Sequence, residues 1–167
     1  MNIKVDTKYR LLYWGGKSYP CAIGKSGVAR GDEKTEGDGK TPTGIFPCLQ
    51  LFYRKDRLAL PALRLPASVI SEQDGWCDDP TRPEYNQHVL IPFLGRCEKL
   101  WREDAAYNII VVLGYNINPI IRGKGSAIFL HCAHENFDAT EGCVAITQDA
   151  LLEILPQISA DTAIDIR

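Results

Sequence analysis

Ser126-Ala127-Ile128-Phe129-Leu130-His131-Cys132-Ala133-His134, followed after a short polar loop by Thr140-Glu141-Gly142-Cys143-Val144-Ala145-Ile146, is the segment from which the fold and the chemistry are read. An apolar run of strand length ends on a histidine, and a Gly-Cys pair opens the next apolar run, with Cys143 twelve positions after His131. This layout suits a thiolate nucleophile beside its base. The thiolate is the attacking form, and a free thiol with a pKa of about 8.5 is mostly protonated at neutral pH, so it needs a neighbour to take or balance its proton. A glycine just before the cysteine lets backbone amides crowd around a developing oxyanion.

Working outward, Ile109 to Tyr115 and Ala127 to Leu130 read as continuous apolar strands buried on both faces. Tyr9 to Trp14, the Gly15-Gly16 turn and Tyr19 to Ile23 read as a hairpin. From Gly24 to Gly44 the chain reads as a long polar loop, and a second β region starts at Ile45 and runs to Tyr53. The prolines at 61, 66, 80, 83 and 92 predict an irregular, surface-lying middle third. Glu98 to Tyr107 reads as a short helix with Glu98 and Arg102 placed as an i,i+4 pair. Thr147 caps a helix over residues 148–155, with Asp149 in its first turn and Pro156 beyond it. A last strand covers Thr162 to Ile166. The fold class is therefore mainly β with a few short helices.

The 167 residues fit one domain that can bury a sizeable core without staples, and 45% hydrophobic with 24% charged residues is ordinary globular composition. A net charge of −2 gives no global footprint for nucleic acid or for a polybasic membrane contact. No run of apolar residues is long enough to span a bilayer, and the N-terminal residues do not read as a signal peptide. The six cysteines, 21, 48, 77, 97, 132 and 143, contain no C-x-x-C pair and read mostly as reduced, buried hydrophobes. Gly39-Lys40-Thr41 lacks the upstream glycine of a phosphate loop, since position 34 is lysine. A zinc site on His131, Cys132, His134 and Cys143 has poor spacing, because His131 and Cys132 point to opposite faces of one strand. No metal or cofactor is expected. His131 is the candidate base and His134 its rival; a backbone carbonyl such as that of Cys132 suffices to hold one imidazole tautomer.

At these residues the chain resembles the L,D-transpeptidases with a YkuD catalytic domain, bacterial cysteine enzymes that remodel peptidoglycan. The family pattern of a strand-end His, a loop, Ser or Thr, a variable position, Gly and Cys falls on His131, Thr140, Glu141, Gly142 and Cys143. Lys40-Thr41-Pro42-Thr43-Gly44-Ile45-Phe46 looks like the family's Thr-Pro-x-Gly-x-Phe element, and Gly75-Trp76-Cys77-Asp78-Asp79 extends the likeness. The resemblance implies a β-sandwich-like catalytic domain over residues 1–167. It also implies Cys143 as nucleophile, His131 as base, the Cys132 carbonyl as its orienter, and the amides of Glu141, Gly142 and Cys143 as oxyanion hole. The implied partners are donor and acceptor peptidoglycan stem peptides, with carbapenem β-lactams as inhibitors, and the implied location is the periplasm or cell envelope. The expected substrate wall is Trp76, Asp78, Asp79, Tyr85 and Asn86, with Tyr115, Asn116, Arg30 and His134 as further contacts. Two departures stand out: Glu141 replaces the histidine many members carry there, and Val144-Ala145 stands where they carry Arg or Asn. Recognition of the donor's carboxylates is thereby left open: Arg102 is a candidate, although its helical pairing with Glu98 is the simpler account of that residue. Hydrolysis of the same acyl-enzyme, or a non-catalytic peptidoglycan-binding module, are the alternative readings.

Overall fold

The computed structural model describes residues 2–167. Its strands are β1 (Asn2–Asp6), β2 (Leu11–Trp14), β3 (Lys17–Pro20), β4 (Val28–Arg30), β5 (Thr41–Tyr53), β6 (Ala67–Val69), β7 (Asp74–Cys77), β8 (His88–Leu90), β9 (Cys97–Lys99), β10 (Ile109–Leu113), β11 (Phe129–Cys132), β12 (Val144–Ile146) and β13 (Ala163–Ile166). One α-helix, α1 (Gln148–Ile154), runs into a 3₁₀ turn at Leu155–Gln157. The main sheet runs β12-β11-β10-β5-β13-β1-β2-β3, with β4 and β6 also pairing with β5. The long β5 joins two halves: Gly44–Pro47 pairs with β13, and Cys48–Tyr53 pairs with β10. The sheet nearly closes on itself, because Ala22, just past β3, exchanges both backbone hydrogen bonds with Ala145 of β12 at 2.8 and 3.0 Å.

The hairpin expectation holds, with β2 and β3 antiparallel and both turn glycines at positive φ. The C-terminal helix also holds: the Thr147 hydroxyl accepts from the Ala150 amide at 3.2 Å, and Leu151, Ile154, Leu155 and Ile158 are fully buried beneath it. β10 and β11 are buried on both faces as expected. Ile109, Val111 and Leu113 of β10 with Leu130 and Cys132 of β11 enter the main core. Ile110, Val112 and Phe129 enter a second apolar cluster on the opposite face.

What covers that second face corrects the reading of the middle third. Instead of an irregular surface segment, β8, β7 and β9 form a three-stranded antiparallel sheet, and all four residues of β7 are buried. Trp76, Ile70, Leu100 and Tyr107 pack there against Phe129 and Phe52. Pro80, Pro83 and Pro92 lie in the connections between these strands, and Pro61 and Pro66 in the one between β5 and β6, so none breaks a ladder. The helix expected over Glu98 to Tyr107 is absent: Glu98 belongs to β9 and accepts a hydrogen bond from the Tyr107 hydroxyl at 2.5 Å, while Arg102 grips Asp104 instead. Paired Glu and Arg at helical spacing carried too little information against the burial gained by an extended chain over Phe129. The polar loop from Gly24 is likewise interrupted by β4, and β5 begins at Thr41 rather than Ile45, since Thr41 to Thr43 pair with β4. Ala127 lies outside β11, with φ of 52°.

Candidate active site

β11 and β12 are parallel neighbours, with Leu130 opposite Val144 and His131 opposite Ala145. Side chains alternate across a strand, so His131 and the residue two before Ala145, Cys143, lie on the same face of adjacent strands. Cys132 points the other way, into the main core. His131 and Cys143 share the lining of one cavity of about 560 Å³ at the edge of the three-stranded sheet. Each is only 7% exposed.

The turn that delivers Cys143 is tied down from several sides. Thr140 accepts at its hydroxyl from the Gly142 amide at 3.1 Å and donates to the Cys143 carbonyl at 2.7 Å. Its backbone pairs with Ile23 and Lys25 at 2.9 and 2.8 Å, so the closure of the sheet also fixes the turn. Gly142 has φ of 140°, and a Cβ there would sit 2.8 Å from the Lys40 carbonyl oxygen. Both the conformation and the close approach demand glycine. Because the Gly142 amide is engaged by Thr140, the amides without a hydrogen-bond partner among the described residues are those of Glu141 and Cys143.

The thiol itself sits between two backbone groups, accepting from the Phe129 amide at 3.4 Å and donating to the Ala127 carbonyl at 3.2 Å. Burial pushes Cys143 up to about 12, the Glu98 carboxylate adds to this, and the Phe129 amide opposes it. Burial also holds His131 down to about 4, against the opposite pull of hydrogen bonds to the Cys132 and Ala106 backbone. The resting pair is therefore neutral thiol and neutral imidazole. His131 Nδ1 lies 2.9 Å from the Cys132 carbonyl oxygen, which can only accept, so Nδ1 carries the proton and Nε2 is left as the basic nitrogen. The Tyr107 ring meets the imidazole edge to face at 5.3 Å and fixes its plane.

Several residues expected at the substrate wall lie elsewhere. Trp76, Tyr85 and Asn86 are buried and do not line the cavity. Asn86 Oδ1 accepts from Trp76 Nε1 and from the Ala127 amide, each at 3.0 Å, and its Nδ2 donates to the Tyr115 and Asn116 carbonyls at 3.2 and 2.8 Å. Every hydrogen-bonding site of that amide is used, and it holds Ala127 in the left-handed conformation that presents its carbonyl to Cys143. The Tyr85 hydroxyl donates to Glu36 and accepts from the Gly125 amide. Tyr115 and Asn116 tie down the loop before β11, through the Lys124 carbonyl and through the Ile121 and Gly125 carbonyls. Asp79 caps a turn through Thr81, and Arg30 lies on a separate surface beside Asp32. Of the expected contacts, Asp78 and His134 do line the cavity, together with Thr140, Glu141 and Gly142.

The lining carries further charged residues beyond the expected Asp78 and Glu141: Lys34, Glu36, Arg96, Glu98, Arg102 and Asp138. Arg102 binds Asp104 through Nε at 2.9 Å and Nη2 at 2.5 Å and lies 5.1 Å over the Tyr107 ring. That grip draws the Asp104 carboxyl down to about 2 and leaves Arg102 Nη1 without a partner among the described residues. The polar loop supplied no signal for Lys34, which becomes visible only because the chain folds back over Gly125.

The model of the YkuD family, the L,D-transpeptidase catalytic domain, matches residues 2–166, and the chain belongs to that family. Its members are cysteine L,D-transpeptidases of the cell envelope that act on peptidoglycan peptides. Among solved structures, an L,D-transpeptidase from Mycobacterium smegmatis is similar at 13% identity and a TM-score of 0.46. The likeness covers 99% of this chain and 58% of that one, so the chain spans little more than half of that protein's length. No curated protein matches the chain. No helix among the described residues is long and apolar enough to cross a membrane.

Proposed function

We propose that residues 1–167 form a single catalytic domain that takes an acyl group from a peptidoglycan stem peptide onto Cys143 and transfers it to an acceptor amine. The observation that carries this reading is the shared face of His131 and Cys143 on adjacent parallel strands, opening into one cavity with the imidazole tautomer fixed. As the substrate carbonyl carbon approaches, the Cys143 S–H proton leaves the Ala127 carbonyl for His131 Nε2 while the S–C bond forms. Coupling the two events avoids a free thiolate in a site where burial disfavours one. The amides of Cys143 and Glu141 receive the oxyanion, and His131 returns the proton to the leaving amine, leaving a thioester. An acceptor amine then attacks the thioester, giving its proton to His131, which passes it to the departing Cys143 sulfur.

Arg102 is the proposed partner of the donor's carboxylate. It stands in the cavity wall with Nη1 free, and Asp104 holds its plane, which fits a fork that recognises carboxylate. It thereby fills the gap left by Val144-Ala145. The carboxylates of Glu36, Asp78, Glu98 and Glu141 around the same cavity suit an ammonium-bearing acceptor. The cell envelope is the proposed place of action, and carbapenems, as acylating β-lactams, are proposed inhibitors.

Hydrolysis is the second reading, favoured by the size of the cavity: at about 560 Å³ it must hold the acyl chain and an acceptor stem together, whereas water needs no such room. Mass spectrometry of products from disaccharide stem peptides of several lengths tests both. A crosslinked dimer made by wild type and not by Cys143→Ala supports transpeptidation. Shortened monomer alone supports hydrolysis, and no product from folded wild type across all lengths rejects both.

A further inference from the structure

Two other cysteines face each other across the small sheet at the rim of the cavity. β7 and β9 are antiparallel, with Cys77 directly opposite Cys97. The phase of the ladder follows from its bonds: the Leu100 amide donates to the Asp74 carbonyl at 2.9 Å, and the Asp78 amide donates to the Arg96 carbonyl at 3.3 Å. Bonded and non-bonded pairs alternate in an antiparallel ladder, which makes Cys77 and Cys97 a non-hydrogen-bonded pair. Such pairs have Cα atoms about 4.5 Å apart with side chains leaning together, inside the window of roughly 4.4–6.8 Å that a disulfide needs.

The surroundings leave room for that bond. Cys97 Sγ reaches over β7, 3.3 Å from where a Cβ on Gly75 would stand, so glycine at 75 keeps the space open. The Cys77 thiol makes only a weak contact to the Asp79 carbonyl, at 3.9 Å. Cys97 is partly exposed and Cys77 is fully buried, which sets an order of attack. The residues beside them, Asp78, Arg96 and Glu98, line the cavity, and Arg96 Nε pairs with Asp78 Oδ1 at 3.0 Å across the same two strands.

We propose that Cys77 and Cys97 are a cross-strand dithiol that closes into a disulfide and so staples the cavity rim carried by Asp78, Arg96 and Glu98. The oxidant is a low-molecular-weight disulfide. The Cys97 thiolate attacks one of its sulfurs and releases one small thiol, leaving a mixed disulfide. The Cys77 thiolate then attacks Cys97 Sγ and releases the second small thiol, so two protein thiols are oxidised and one small disulfide is reduced. The pair stands apart from Cys143, and its closure does not depend on the reaction assigned to that residue.

The test equilibrates the folded protein with graded ratios of reduced to oxidised glutathione, alkylates the remaining thiols, and maps peptides after trypsin, which cuts between Arg96 and Cys97. The free-thiol count should fall by two, with a peptide linking Cys77 to Cys97 as the dominant product, reversed by dithiothreitol. The thermal midpoint of the oxidised form should rise by about 5 °C. Cys97→Ser should keep Cys77 reduced at every ratio. If that variant does not fold, the wild-type map and midpoint decide alone. A glutathione adduct on Cys97 that never resolves, links only between other cysteines, or retention of all thiols at ratios that oxidise the urea-unfolded chain would each overturn the proposal.

Discussion

Replacing Asn86 with alanine should disarm Cys143 although Asn86 lies outside the cavity. The side chain is 2% exposed and makes four hydrogen bonds, two accepted at Oδ1 and two donated from Nδ2. At about 1 kcal/mol net for each bond, and more where a buried group is left unpaired, the loss amounts to about 3–5 kcal/mol. Ala127 loses the partner of its amide and, with it, the reason to stay at φ of 52°, a conformation that costs a non-glycine residue about 1 kcal/mol. Its carbonyl then turns away from the Cys143 sulfur, now 3.2 Å off. Urea unfolding measures the first consequence, and turnover with the alkylation rate of Cys143 by iodoacetamide measures the second. We expect kcat to fall at least tenfold with KM nearly unchanged, since nothing in the cavity is removed. Asn86→Asp keeps the acceptor for Trp76 and Ala127 and should recover part of kcat. An alanine variant within about 0.5 kcal/mol of wild type, with normal kcat, would refute the claim that this amide positions the nucleophile.

Gly142→Ala should fold poorly or lose turnover by more than a hundredfold, because the methyl meets the Lys40 carbonyl at 2.8 Å in a left-handed turn; soluble, active protein would contradict this. Arg102→Leu should raise KM for donors with a free carboxylate by about tenfold with kcat little changed, and amidated donors should be insensitive to the substitution; an equal effect on both donors would remove Arg102 from recognition. The buried His131 sets a pH window. Its folded value of about 4 lies below the ordinary value of 6.5, so the unfolded chain binds the extra proton first and stability falls as pH drops from about 6.5 to about 4. The loss should approach 3 kcal/mol on the acid side, and His131→Gln, if it folds, should flatten that slope in urea titrations at pH 4 to 7. The acid limb of kcat/KM should likewise lie near pH 4 rather than 6.5.

The pairing of His131 with Cys143, the proposed base and nucleophile, was legible in sequence because one closes an apolar run and the other opens the next, and the two short parallel strands grow from those runs. The Thr147 cap and the Gly15-Gly16 hairpin were legible for the same reason, each being fixed by residues within a few positions. What failed was long-range. Trp76 and Asn86 look like loop residues until Phe129 is known to need cover, and the Trp-Asn-Ala127 chain of hydrogen bonds joins segments some forty positions apart. Glu98 and Arg102 match a helical pair locally, yet burying Tyr107 and Leu100 over Phe129 decides the conformation. Lys34 and Arg102 reach the cavity from loops whose composition is that of any solvated turn, so charge alone could not assign them.

Acyl transfer through Cys143 is tested most directly by intact-protein mass spectrometry of the folded protein after rapid quenching with excess donor peptide and no acceptor. The expected result is an added mass equal to the acyl portion of the donor, mapped to the peptide carrying Cys143, released by hydroxylamine and absent from Cys143→Ala. A donor that is consumed without such an adduct in wild type, or an adduct that persists in Cys143→Ala, would contradict it.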